Sequence, residues 1–388
     1  MKTVKRTFWI ILSNILLVSL SFLAGYLAAV YLPPLFGPGR QLATLHQAYL
    51  ILVNQGLNPT PTPPALEYGM IHGMVQAYGD PHTAFLEPVQ TELEADLMAG
   101  KFGGIGVNLG YDSERNVVLY PLPDSPALRA GVLDGDRLLA VDELTVTPSM
   151  PADVISAAIR GKVGERVTIT IGRPPDYLPV RLEVERAEFS QPSVAWHIDA
   201  TEPRMGVVEV NVIASNTDEE ILQAVRDLQS KNASHFVLDL RNNGGGLVSA
   251  GVDIARLFLK EGDVIQEQFR GKDVETYAIE APGELADIPL VVLVNRNTAS
   301  ASEIIAGALQ AHQRAKLIGQ PTYGKDTIQL VFPLRDGSSL HVTAAHWWVP
   351  GLDFPREGYG LTPDITVSEA SDDPNAAINA AIQAFFAP

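Results

Sequence analysis

The chain has no cysteine in 388 residues. Disulfides, thiolate nucleophiles and cysteine-bound metals are therefore excluded. The compartment stays open, since an oxidising space permits disulfides without requiring them. Positive charge is also scarce: 28 Lys and Arg against 45 Asp and Glu leave a net charge of −17. Such a chain repels phosphate backbones, and no nucleic-acid partner is expected. The histidines, at 46, 72, 82, 197, 235, 312, 341 and 346, include no H-x-x-x-H or H-E-x-x-H pair. His341 and His346 share the strand-like run SLHVTAAHWW at odd spacing, so they face opposite sides. No metal site is expected. The glycine-rich RNNGGGLVSAG (241–251) has neither a phosphate-loop Lys-Ser/Thr nor a dinucleotide fingerprint, and no cofactor is expected.

Charge is absent from one long stretch as well. After Lys2, Lys5 and Arg6 no charged residue occurs until Arg40, and Phe8–Leu32 is mostly apolar over 25 residues. A helix needs about 20 residues to cross a hydrocarbon core of ~30 Å. A retained membrane helix is the expectation for 1–35, with its basic flank cytoplasmic and the rest of the chain extracytoplasmic. The alternative is a cleaved signal segment, with small residues at Ala24, Gly25, Ala28 and Ala29, and a secreted or periplasmic product.

The remainder reads as α/β and α+β, in several domains. Residues 36–95 hold a small helical arm, with helices over 41–57 and 64–79 broken by NPTPTPP. This arm reads as a packing or dimerisation element, which makes a homodimer one expectation. YGDPHTAF (78–85) is a turn signal. Over 96–188 short β-branched runs alternate with Gly, Pro and Asp, and ADVISAAIRG supplies one helix. That texture is a β-rich module. The last domain, 189–388, ends in a helix, and over 205–350 strands and helices alternate, as in FVLDLRN followed by LVSAGVDIARLFLK. Such alternation argues for a mostly parallel sheet covered by helices.

Two segments carry candidate chemistry. TASASE (298–303) holds Ser300 and Ser302 ahead of an apolar helix. Ser300 and Glu303 make a capping box, which is the bland reading. A serine nucleophile needs a base. Lys325, in IGQPTYGKDTIQ, is one candidate if burial keeps it neutral, and a surface turn lysine otherwise. The glycine turn at 244–246 has backbone amides that suit an oxyanion as well as a tight turn.

FGGIGV (102–107) with SPALRAGVLDGDRLLAVDE (125–143) closely resembles a PDZ domain, which binds peptide C-termini. The resemblance makes Gly104, Ile105, Gly106 and Val107 the carboxylate-binding loop. The order of this module, DLRNNGGG, NTASASEIIAGAL, GQPTYGKDTIQ, DGSSLHVTAAHWWVP and GLTPDITV is similar to the carboxyl-terminal processing peptidases, over roughly residues 66–388. That resemblance implies a mixed α/β, crotonase-like serine protease core. It implies Ser300 as nucleophile, Lys325 as base 25 residues later, and Gln329 as the residue that orients the lysine. It implies Ala301 and Gly245 as oxyanion amides, and protein substrates with exposed apolar C-terminal tails. The chain departs from the family at Gly244, where proline or serine is usual, and at Asp326, where glycine is usual. A carboxylate beside a base raises its pKa unless strand alternation turns it away. The competing expectations are a non-catalytic adaptor that holds protein tails and, against the PDZ-like module and the Ser–Lys pair, a crotonase-type acyl transferase.

Overall fold

The structure is a computed structural model that describes residues 42–61, 63–190, 192–352, 358–367 and 375–386. The membrane helix expected over Phe8–Leu32 lies outside the described residues. Among the described residues no helix is long and apolar enough to cross a membrane.

The chain divides into two units, 1–74 and 75–388. In the first, helix α1 (Ala43–Gln55) has no buried residue. The proline-rich break then leads into α2 (Pro63–Tyr78), where Pro63 and Pro64 occupy the first turn, a place that needs no proline N–H.

The second unit opens with β1 (Ala84–Leu86) and α3 (Pro88–Ala99). Gln90 accepts the Glu87 N–H at the start of α3, and Gly100 closes it at φ 67°, a left-handed turn that glycine adopts without strain. The β-rich body follows: β2 (Lys101–Gly104), β3 (Val107–Tyr111), β4 (Val117–Pro121), the single turn α4 (Pro126–Arg129), β5 (Asp136–Val141), β6 (Leu144–Thr145), α5 (Ala152–Ile159), β7 (Arg166–Arg173), β8 (Leu178–Glu185) and β9 (Ala187–Ser190). Its antiparallel sheet runs β3-β4-β5-β7-β8 with β6 on β5, while β2 pairs β9. Alternate residues of β7, Val167, Ile169 and Ile171, are fully buried against Leu119, Leu138 and Ile155. Strand β3 is a sheet edge.

The remaining elements are β10 (Val194–Ile198), β11 (Met205–Val210), α6 (Thr217–Ser230), β12 (His235–Asp239), α7 (Val248–Phe258), β13 (Asp263–Phe269), β14 (Glu275–Ala278), β15 (Leu290–Val294), α8 (Ala301–Ala311), β16 (Lys316–Gly319), β17 (Thr327–Pro333), β18 (Ser339–Trp348), β19 (Ile365–Thr366) and α9 (Ala376–Phe386). One sheet runs β10-β11-β12-β15-β16-β19 and is parallel except at β10. Both of its faces are covered. Phe236, Leu238, Val292 and Val294 pack toward α6, α7 and α8, while Val237, Val291, Leu293 and Ile318 pack toward α9.

The alternation over 205–350 does not all enter that sheet. Strands β13, β14, β17 and β18 form a second, antiparallel sheet with β1. The reason is local: the turn at 334–338 lets β17 fold straight back on β18, whereas a parallel pair needs a long crossover. This second sheet carries the segment after Lys325, so the base candidate and Ser300 reach the site from different layers.

Phe236→Ala should lower unfolding stability by about 3–5 kcal/mol, as expected for a large core truncation. Phe386→Ala, at a partly buried position of α9, should cost less. Equilibrium urea unfolding of the two variants checks the order.

Candidate active site

The parallel strand β15 ends in a turn, NRNTAS, that reverses into α8. Ser300 is the last residue of this turn and caps α8 at φ 54° and ψ −122°, a backbone region that non-glycine residues rarely occupy. Several hydrogen bonds over-determine it. Thr298, fully buried, donates through Oγ1 to Leu240 O at 2.8 Å. Ala299 N–H donates to Asn243 O at 3.0 Å. Ser300 N–H donates to Glu303 Oε2 at 2.9 Å, the carboxylate half of the expected capping box. The two serines separate here. Ser300 lines a cavity of about 750 Å³, whereas Ser302 is 0 % exposed and its Oγ has no hydrogen-bond partner among the described residues.

Lys325 lines the same cavity from the loop that leads into β17. Burial pushes its pKa down from the ordinary 10.5, against the opposing charges of Asp80 and Glu303. Its ammonium nitrogen is 2.8 Å from Gln329 Oε1. Gln329 in turn donates through Nε2 to His82 O, which leaves Oε1 toward the lysine. Asp326 is not part of this group: it turns toward His346 Nδ1, 3.4 Å away on the exposed side of the sheet. The two neighbours, which precede β17, therefore meet different partners. Asp80 is held by its own turn, accepting from His82 N–H at 3.1 Å and from Thr83 Oγ1. The YGDPHTAF segment, legible in the sequence only as a turn, therefore contacts the lysine's partner across 247 residues of chain.

The glycine turn faces Ser300. A Cβ on Gly245 would stand 2.9 Å from Ser300 Cβ and 3.0 Å from Ala301 N, so only glycine permits this approach. Ala301 N–H, the first of α8, makes no hydrogen bond among the described residues, as expected for a helix N-terminus. The expected second amide differs. Gly245 N–H is already given to Asn243 Oδ1 at 2.9 Å. The N–H groups of this turn without a partner among the described residues belong to Gly244 and Gly246. Asn243, which sequence reasoning did not single out, is fully buried and also donates to Val210 O at 2.7 Å. A Cβ on Gly244 meets nothing within 4 Å, so its departure from proline or serine changes no packing.

Glu303 joins these parts. Its side chain is 0 % exposed and accepts four bonds: Thr322 Oγ1 at 2.6 Å and Gly324 N at 2.7 Å on Oε1, Lys325 N at 3.0 Å and Ser300 N at 2.9 Å on Oε2. Burial raises its pKa despite these donors. One carboxyl therefore ties the serine turn to the lysine loop.

In the β-rich body, Gly104, Ile105, Gly106 and Val107 form the link from β2 to β3. Ile105 plugs the core at 1 % exposure, and Gly106 has φ 71°. All four line a small cavity of about 150 Å³ with Leu109 and Ser156, between the free edge of β3 and helix α5. An extended peptide fits such an edge by strand addition. Among the described residues no cluster of His, Asp or Glu is arranged to hold a metal.

The chain is similar to known proteins. Peptidase family S41 matches residues 204–367, and the PDZ domain family matches 117–173. The chain is 37 % identical over 306 residues to a carboxyl-terminal-processing protease of Picosynechococcus, covering 78 % of this chain and 73 % of that one. It is 37 % identical over 307 residues to the protein of that name in Synechocystis, covering 78 % and 71 %. Among solved structures, a photosystem II D1 C-terminal processing protease is 30 % identical with a TM-score of 0.46, over 85 % of this chain and 88 % of that one.

Glu303→Gln replaces one acceptor oxygen with an NH₂ that faces two donors. Leaving such buried donors unpaired should cost about 3 kcal/mol or more. The variant should lose denaturant stability and lose kcat more than KM, because the serine turn and the lysine loop no longer share an anchor.

Proposed function

We propose, from the premise that the chain belongs to peptidase family S41, the carboxyl-terminal processing serine proteases with a PDZ domain, that Ser300 is its nucleophile and Lys325 its general base. The observation that carries this reading is an amine taken out of water, bonded by Gln329, in the cavity that Ser300 lines. A neutral amine accepts the Ser300 Oγ proton as Oγ attacks the substrate carbonyl. Ala301 N–H holds the developing oxyanion, with a second amide from the glycine turn, where Gly244 and Gly246 have N–H groups not committed to Asn243. The Lys325 ammonium then protonates the leaving amine. Neutral again, it deprotonates the water that frees the acyl-enzyme.

Gln329 positions the lysine without touching substrate. The PDZ domain captures the substrate's C-terminal tail along the edge of β3, with the carboxylate at Gly104–Val107. The apolar walls there, Val107, Leu109 and Ile159, favour an apolar last residue. The apolar run Phe8–Leu32 behind a basic flank supports a membrane anchor with the catalytic part extracytoplasmic. The wholly exposed α1, with Leu45, Leu50 and Ile51 on its surface, supports an arm that pairs two copies.

Ser300→Ala and Lys325→Ala should each abolish cleavage of a disordered protein such as casein. Ser302→Ala should keep cleavage and raise stability by about 1 kcal/mol, because it removes a buried hydroxyl without a partner. Cleavage that survives Ser300→Ala would show that the nucleophile is elsewhere.

A further inference from the structure

The cavity that Ser300 lines holds a buried carboxyl that the mechanism does not use. Glu267, on β13, lines the cavity with Ser300 yet is only 4 % exposed. Its Oε1 accepts the Tyr277 hydroxyl at 2.9 Å. Burial and Glu267 push the Tyr277 pKa up to about 12, so that proton stays committed to the bond. Glu267 Oε2 makes no hydrogen bond, and no Lys, Arg or His pairs with the carboxyl, among the described residues.

This arrangement is costly to keep. Glu275 lies directly opposite Glu267 on β14, a like-charge cross-strand pair. Burial drives the Glu267 pKa upward and Glu275 adds to it. An unpaired buried carboxyl is destabilising unless something supplies the missing partner. The fold supplies none, and the open side of the group is the cavity. Leu247, Val248 and Phe269 line the cavity beside it and are apolar. A long aliphatic stem against these walls, ending in a cation, would meet both features. Glu94 also lines the cavity, 3.3 Å from His341 Nε2, and Lys325 supplies the one primary amine among the lining residues, which the mechanism needs neutral.

We propose that Glu267 is a specificity-determining residue, selecting a lysine or arginine in the substrate within a residue or two of the scissile bond. The inference rests on Ser300 being the nucleophile, since that places the scissile bond in this cavity. Lysine fits the recess through its methylene stem, and its ammonium takes the Oε2 that Tyr277 leaves open.

The test compares lysine with norleucine, which has the same stem and no ammonium, at each of the two positions on either side of the scissile bond. The full-length protein is assayed on otherwise identical peptides. At one position the kcat/KM ratio of lysine to norleucine should be about tenfold, the order expected for a hydrogen bond to a charged group. Glu267→Gln, which keeps an acceptor for Tyr277, should bring that ratio close to one. The ratio does not depend on how much of the variant is folded. Equal cleavage of both peptides by the wild-type protein, or a lysine preference retained in Glu267→Gln, would overturn the inference and leave the peptidase reading intact. No cleavage of any peptide by the wild-type protein would overturn both.

Discussion

Four donors converge on one buried carboxyl, and the rest of the candidate site depends on it. Glu303 accepts the backbone of Ser300, the backbone of Gly324 and Lys325, and the hydroxyl of Thr322. Helix α8 and the lysine loop belong to different layers, and one backbone bond, Tyr323 N–H to Thr298 O at 3.0 Å, joins them besides this carboxyl. A charge left unpaired in this place would be costly, so the donors and the acceptor hold each other. The same bond explains how Ser300 persists at positive φ: the strained residue is anchored at its own N–H as well as by the buried Thr298 two residues earlier.

Lys325 gains its chemistry from a balance rather than from a single contact. Desolvation favours the neutral amine, while Asp80 and Glu303 favour the ammonium, and burial is the larger influence. Gln329 contributes orientation without charge, and its own direction is set by the His82 carbonyl. Had Asp326 faced the amine, a third carboxylate would have opposed burial. It faces His346 instead.

Much of this was legible in the sequence, and the limits have physical causes. Ser300 and Lys325 were visible from motif order and spacing, whereas the direction of Asp326 was left open and only the fold shows it turned to His346. The choice of Ser300 over Ser302 agrees with burial, since one side chain meets the cavity and the other is sealed in α8. Asn243 was hidden because its role is a side-chain bond to a backbone two residues away, which no composition signal encodes. The same bond withdrew Gly245 N–H from the place expected for it. Asp80 and His82 were hidden by distance along the chain. Glu267 was hidden by its neighbours, because DVIQEQF reads as a strand with polar residues facing water, and only the fold shows that this glutamate faces inward. The second sheet escaped because a hairpin and a crossover can share one hydrophobic pattern.

The central claim is that burial leaves Lys325 neutral enough to act as a base, and the most direct measurement is its titration. The Nζ resonance of Lys325, followed by NMR in Ser300→Ala protein with labelled lysine and assigned by its loss in Lys325→Ala, should give a pKa below the ordinary 10.5. A Lys325 pKa at or above that value would contradict the account, because the amine would then remain charged where the mechanism needs a free electron pair.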